Sequence, residues 1–237
     1  MPTPDRASDA PRGVFITGTD TGVGKTYLAV RLIRALVARG LAVAPRKPVE
    51  SGCELVQGQP WPADGAALQQ AAGGGTPLQE VCPWRLRHAL SPERAAELEG
   101  VRLGLADLIG ACRTDADRFL VVEGAGGFYS PLTRDGLNAD LAQALGLTVV
   151  MVTADRLGCI NHVLLSAEAV RSRGLALGAI VLSAADPDPA PLMDNAAALR
   201  ARLRVPVCPL DHDAGAASPA LDRLCGLLVS AAEADRS

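Results

Sequence analysis

Lys25 and Thr26 close a run that reads Gly18-Thr19-Asp20-Thr21-Gly22-Val23-Gly24-Lys25-Thr26. A glycine-rich loop of this kind turns backbone N–H groups inward, where they cradle phosphate oxygens. The N-terminus of a following helix adds about half a positive charge. A lysine at the end of the loop reaches the β- and γ-phosphates, and the next hydroxyl sits on Mg2+. Five residues lie between Gly18 and Gly24, one more than in the common spacing. Glu123 directly follows apolar Phe119-Leu120-Val121-Val122. An acid there can hold Mg2+, itself or through a water, opposite the Thr26 hydroxyl; an exposed strand-end acid is the other reading. Gly124-Ala125-Gly126-Gly127 allows close approach of backbone to a ligand, or makes a plain tight turn. Asp64 reads on spacing as a helix cap and is also a candidate Mg2+ contact. Lys47 and Ser51 follow a strand, and each is open to two readings, surface side chain or site residue. His162 begins a helix and is most simply structural.

The elements that must position these residues alternate strand and helix. Apolar Val14-Phe15-Ile16 precedes the glycine loop, and Leu28, Val30, Leu32, Ile33, Leu36 and Val37 follow it at helical spacing. Further strands are expected at 41–44, 119–122, 148–153, 179–182 and around Val205-Pro206-Val207. Helices are expected at 66–72, with Asp64 near the N-cap, and at 101–112, 138–145, 162–173, 193–203 and 219–231. Residues 53–63 read as irregular, 76–90 as loop plus a short strand through Val81, Trp84 and Leu86, and Ser91-Pro92-Glu93 as a turn. Continuous apolar runs such as 119–122 belong to strands buried on both faces of a parallel sheet. The fold class is therefore α/β, a single-domain parallel sheet flanked by helices, of the P-loop NTPase kind. In such sheets ligands bind at the carboxyl ends of the strands. Residues 1–12 read as a disordered N-terminal tail and 13–237 as one P-loop domain.

A chain of 237 residues, nearly half of them hydrophobic, can bury a sizeable core. Its formal net charge of −3 and lack of a long basic run give no electrostatic case for nucleic acid or an anionic membrane. No apolar stretch approaches the roughly 20 residues needed to span a bilayer, and the first residues lack a signal peptide's apolar core. The six cysteines include no C-x-x-C pair, and the three histidines do not join them at metal-ligand spacing. Reduced, mostly buried cysteines in a cytoplasmic protein are expected.

Four segments in this order and spacing resemble dethiobiotin synthetase: Gly18 to Thr26, Lys47-Pro48-Val49-Glu50-Ser51-Gly52, Val122 to Gly127, and Leu157-Gly158-Cys159-Ile160-Asn161-His162. The resemblance runs from about residue 13 to about residue 183, and the longer glycine loop is itself that family's variant. It implies carboxylation of 7,8-diaminononanoate (7,8-diaminopelargonate) with CO2 and closure to dethiobiotin, driven by ATP with Mg2+. A carbamate would attack the γ-phosphate to give a carbamic–phosphoric anhydride, and the second amine would close the ring. By resemblance Lys47, Lys25 and Thr21 are catalytic, with Ser51 also contacting the carbamate and phosphoryl region. Gly22, Val23, Gly24, Lys25, Thr26 and Tyr27, with Glu123, Gly126 and Ser183, belong to the nucleotide site. Thr26, Asp64 and Glu123 surround Mg2+. Ser51, Gly126 and the segment Leu157, Gly158, Cys159, Ile160 and Asn161 hold the substrate, the segment serving the other subunit's site, which implies a homodimer.

Three positions depart from relatives. Many have Asn where this chain has Ser183, and that Asn reads adenine; a hydroxyl lacks an amide's paired donor and acceptor, so weak discrimination among nucleoside triphosphates is expected. A later base-contacting segment would fall near Pro209 to Asp213. Glu93 stands where relatives often have His, and Gly22 replaces a glutamate found in some members. Two rival classes share the loop. A partitioning-type ATPase usually carries lysine at the place of Asp20 and needs a DNA- or membrane-binding surface. An amidotransferase-type ligase would need a glutaminase domain, for which the chain has no room. A non-catalytic nucleotide-binding regulator is opposed by the presence of Lys25, Lys47, Thr26 and Glu123, and catalysis is what separates it from the enzyme.

Overall fold

The computed structural model describes residues 12–184, 193–210 and 219–234. The expected N-terminal tail, apart from Arg12, lies outside them, as do residues 211–213 of the expected base-contacting segment. In chain order the first part comprises β1 (Gly13–Gly18), α1 (Lys25–Ala38), β2 (Val43–Arg46), β3 (Val49–Ser51), β4 (Glu54–Val56), β5 (Gln59–Trp61), α2 (Ala63–Ala71), α3 (Leu78–Val81), β6 (Trp84–Leu86), α4 (Pro92–Glu99) and α5 (Leu105–Ala111). The second part comprises β7 (Phe119–Gly127), β8 (Pro131–Thr133), β9 (Gly136–Leu137), α6 (Asn138–Leu145), β10 (Thr148–Asp155), α7 (Cys159–Ser172), β11 (Leu177–Ala184), α8 (Asn195–Arg200), β12 (Val207–Leu210) and α9 (Pro219–Ala234).

Six strands form one sheet in the order β12-β11-β10-β1-β7-β2, and every pairing is parallel. Side chains alternate across it. Val14 and Ile16 of β1 face the layer of α1, α2 and α9, packing with Leu28, Leu32, Leu68 and Leu224. Phe15, between them, faces the layer of α4 to α8, with Leu108, Leu141, Val163 and Leu199. A strand apolar at consecutive positions thus feeds two cores at once, which is why it reads as a continuous run. The chain moves from β1 out to β2, returns to β7 beside β1, then crosses to β10 on the other side. The crevice for ligands opens at this reversal, at the carboxyl edge.

Pairing moves several boundaries. The strand expected at 41–44 is Val43–Arg46, held in register with Phe119 to Val122. The expected loop 53–63 contains the hairpin β4–β5, turned by Gln57 and Gly58 at φ +52° and +77°, a pair of left-handed residues that suits a tight two-residue turn. Val81 ends a helical turn rather than lying in a strand, and Ser91-Pro92-Glu93 opens α4 with proline in its first turn. The helix at 66–72 begins earlier, at Ala63. Its N-cap is Pro62, so Asp64 sits inside the first turn and makes no cap bond. The strand expected to stop at Val122 continues to Gly127, which places Glu123 within β7. Helix α7 starts at Cys159, which puts Cys159, Ile160, Asn161 and His162 in its first turn.

Candidate active site

The glycine loop is shaped by contacts that exclude side chains. Gly24, at φ +96°, is the N-cap of α1, and a Cβ there would lie 2.5 Å from the Ser183 hydroxyl on β11. A Cβ on Gly18 would lie 2.7 Å from the carbonyl of Asp20. The loop is tied to β10 by the Thr19 N–H to the Val152 carbonyl at 2.9 Å and by the two hydroxyls of Thr19 and Thr153, also at 2.9 Å. Val23 is buried in the core beneath, while Gly22, at φ +74°, faces open space.

Lys25, buried, folds back to donate to the Asp20 carbonyl at 2.8 Å. Burial and the neighbouring charge of Lys47 bring its ammonium down to about 8. The nearby carboxylates of Glu123, Asp64 and Asp20 offset this only in part, so a phosphate beside Lys25 would be favoured. The Thr26 hydroxyl donates to Glu123 Oε1 at 2.8 Å. Lys47 Nζ donates to the same oxygen at 2.5 Å and to Asp64 Oδ2 at 3.0 Å. Burial disfavours the Lys47 charge, but Glu123 and Asp64 raise its pKa above the usual lysine value. Asp64 is correspondingly lowered: burial opposes its charge, and Lys47 and the Thr26 hydroxyl outweigh burial. Glu123 Oε2, fully buried, has no hydrogen-bond partner among the described residues.

Glu123 is the last residue of β7 in regular register with β1, just before an irregularity in the sheet. Ile16 pairs with Glu123 and Gly18 with Gly127, so Thr17 alone faces Gly124, Ala125 and Gly126. The bulged run is held by Asn138, fully buried at the start of α6. Its amide donates to the carbonyls of Ala125 at 2.6 Å and Gly127 at 2.9 Å and accepts from the Ala125 N–H at 3.1 Å. Gly126 takes φ +76°.

A cavity of about 680 Å³ opens on these groups, walled by Lys25, Thr26, Lys47, Asp64, Glu123 and Gly126. Thr21, Gly22, Gly24 and Tyr27 also border it, as does Ser51, whose hydroxyl donates to the Leu90 carbonyl at 2.7 Å. The Tyr27 hydroxyl accepts from Arg31 at 2.5 Å. Thr26, Asp64 and Glu123 present the oxygen donors that could hold a divalent cation. Among the described residues no three His, Cys, Asp and Glu side chains gather as a metal cluster. Two carboxylates and a hydroxyl suit Mg2+, which keeps several waters and shares substrate phosphates.

Other expected site residues lie elsewhere. Ser183 is buried behind Gly24, off the cavity wall, and its hydroxyl lacks a partner among the described residues. Leu157 to Asn161 do not wall the cavity of their own chain; Leu157 is 93% exposed, and Gly158 at φ +92° caps α7. Cys159 is buried, Ile160 half-buried and Asn161 exposed. Two residues near the site carried no functional reading in the sequence. One is Asn138, whose signal was only an amide at a helix start. The other is Glu50, which borders the cavity and accepts from the N–H groups of Asp64 at 3.1 Å and Gly65 at 2.9 Å. Burial raises the Glu50 pKa.

A glycine loop at the carboxyl edge of a parallel sheet, with a lysine and a hydroxyl opening the next helix, defines a P-loop nucleotide-binding protein. The fold is similar to that of a nucleotide-binding protein in complex with ADP from Archaeoglobus fulgidus, with a TM-score of 0.50 at 13% identity over 93% of this chain and 88% of that one. Residues 12–209 match the family described as an AAA domain. The ATP-dependent dethiobiotin synthetase BioD of Anaeromyxobacter dehalogenans (strain 2CP-C) is 45% identical over 194 residues, 81% of this chain and 85% of that protein. The protein of the same name from Ruthia magnifica subsp. Calyptogena magnifica is 41% identical over 189 residues, 80% and 86% of the two chains. The chain belongs to the dethiobiotin synthetase family, as the four ordered segments implied.

Proposed function

We propose that this chain is an ATP-dependent cyclo-ligase that forms dethiobiotin from 7,8-diaminononanoate and CO2 in biotin biosynthesis. The observation that carries the reading is Lys47, buried between Asp64 and Glu123 at the floor of the cavity that Lys25 and Thr26 also border. One amine of the substrate adds to CO2, losing a proton and forming a carbamate. A carbamate oxygen then attacks the γ-phosphorus, and ADP leaves. The other amine attacks the carbonyl carbon of the anhydride, the ureido ring closes, and phosphate departs with the second proton lost. Two anions must meet in the first transfer, so clustered positive charge is the main requirement. Lys25 neutralises the β- and γ-phosphates, and Lys47 holds the carbamate oxygen against the phosphorus. Thr21 and Ser51 hydrogen-bond the carbamate and phosphoryl oxygens, and Gly126 lets the backbone approach them.

Thr26, Asp64 and Glu123 would hold Mg2+, which when bound supplies further charge neutralisation at the phosphates. The unpartnered, buried Glu123 Oε2 supports this assignment. Leu157 to Asn161 would hold the substrate carboxylate for the partner's site, at the N-terminus of α7. Their position off their own cavity supports a homodimer with shared sites. A cytoplasmic location fits six unpaired cysteines.

The deciding assay follows phosphate release from Mg2+-ATP with and without 7,8-diaminononanoate and bicarbonate, with dethiobiotin identified by mass. Release that requires both substrates and yields the ureido product is expected. Nucleotide binding with no such product would instead support a regulatory protein. CTP and GTP run in parallel are expected to serve nearly as well as ATP, because Ser183 offers no amide to the base. A hundredfold preference for ATP, about 2.7 kcal/mol, would show that other groups read it.

A further inference from the structure

Asp64 is gripped from two sides by one four-residue stretch. Lys47 holds its carboxylate at 3.0 Å. Glu50, three residues further on, holds its backbone N–H at 3.1 Å and that of Gly65 at 2.9 Å, one with each carboxylate oxygen. Helix α2 needs this help: its N-cap is Pro62, which makes no side-chain cap bond. The first N–H groups of a helix have no partner within it, and an acceptor there stabilises the turn. A negative charge at that end also suits the helix dipole. Glu50 is 7% exposed and sits on β3, in register with Arg85 of β6. The acceptor is therefore anchored to a strand instead of moving with the helix.

We propose that Glu50 is a positioning residue: by capping α2 from β3 it holds Asp64 toward Lys47 and Thr26, and so sets the affinity of the site for a divalent cation. The proposal rests on the reading of Asp64 as a Mg2+ donor. The Asp64 side chain is 40% exposed, so local packing alone does not hold it. Donors to a metal act well only when held to within about half an ångström. With the cap gone, the first turn of α2 frays and Asp64 moves with it.

The test uses Mn2+ as a probe, titrated into the full chain with a non-hydrolysable ATP analogue and followed by electron paramagnetic resonance. Four variants are compared: Glu50→Ala, Glu50→Gln, Asp64→Ala, and Gln69→Ala, which removes the bond from Gln69 to the Thr76 carbonyl at the other end of α2. Melting temperatures are recorded for all four. Glu50→Ala and Asp64→Ala are each expected to weaken Mn2+ about tenfold, the scale of a lost cap. Glu50→Gln falls between, since one amide oxygen still accepts an N–H. Gln69→Ala lowers the melting temperature and leaves Mn2+ binding alone. Saturating Mn2+ restores most of kcat in Glu50→Ala. Normal Mn2+ binding in Glu50→Ala beside a weakened Asp64→Ala overturns the role of Glu50. Normal binding in Asp64→Ala removes the reading of Asp64 beneath it. Equal weakening in Gln69→Ala assigns the effect to helix stability in general. If the alanine variant does not fold, Glu50→Gln, which keeps the side-chain volume, decides.

Discussion

At the scale of the residue, Lys47 shows how burial and charge combine. It is 3% exposed, yet its charge is favoured because two carboxylates face it. Removing it leaves Glu123 and Asp64 without their shared cation while Lys25, the proposed phosphate contact, is kept. Lys47→Ala is therefore expected to cut product formation by at least about a hundredfold to a thousandfold, the loss typical of one transition-state contact, with nucleotide affinity largely kept. Turnover and nucleotide titration on the same preparation check this, and full activity would sink the assigned role. Circular dichroism must accompany them, because breaking a buried pair costs about 3–5 kcal/mol. At the cysteines burial outweighs the neighbouring cations. It pushes the thiol of Cys112 up to about 12 and those of Cys53 and Cys225 up to about 11. The thiolate is the reactive form, so these three are expected to resist a disulfide reagent at pH 8 until guanidinium unfolds the chain. Fast labelling of any of them in the folded protein would contradict that. Lys25, Thr26 and the cysteines were legible in the sequence, since each depends on its own type and near neighbours. Glu50 was not, because nothing local says that a strand acid will meet the N-terminus of a helix that starts at residue 63.

At the scale of the element, the site is held by polar side chains that join one element to another. Asn138 pins the bulged end of β7 to α6. Arg46, 1% exposed, donates from β2 to the carbonyls of Ala111 at the end of α5 and of Arg113 beyond it, and pairs with Glu80 of α3 at 2.5 Å. It thereby fixes the strand that leads to Lys47. Asp140 works similarly on α6. It accepts from the Leu137 N–H at 2.8 Å and pairs with Arg173 at 2.5 Å. Burial would raise its pKa, but these partners bring it below the usual aspartate value. A carboxyl with a depressed pKa in the folded state contributes stability that is present above the unfolded pKa. That contribution is lost as pH falls through the folded pKa. Asp140→Asn is thus expected to lower stability at pH 7 and to match the parent near pH 2, as measured by denaturant midpoints at both. A deficit unchanged between those pH values would mean that the charge is not what matters. These ties were largely illegible beforehand. Periodicity finds an apolar face, but it does not say which polar side chain reaches which neighbouring element.

At the scale of the whole molecule, the cavity and the segment Leu157 to Asn161 do not meet within one chain, and Leu157 and Leu165 are exposed at 93% and 64%. The proposed shared sites make a direct prediction. Lys47→Ala and Asn161→Ala chains are each expected to be nearly inactive, and a mixture unfolded and refolded together is expected to regain activity. In a random two-fold mixture half the dimers are mixed, each with one intact site, so about a quarter of the parent activity should return. No recovery, in a mixture shown by native mass spectrometry to contain mixed dimers, would place each site within one chain.

The sequence by itself determined the loop that meets phosphate, the buried strands and the class of fold. These rest on local geometry, on glycine where no side chain fits and on apolar runs that two helical layers must cover. The tertiary structure decided the rest. Lys47 lies 17 residues from Asp64 and 76 from Glu123, yet one ammonium bonds both. That convergence follows from the sheet order, from the register that sets Glu123 opposite Ile16, and from the start of α2 three residues before its expected boundary. Each of these is settled by strand register and packing between segments far apart in the chain, where no local pattern reaches.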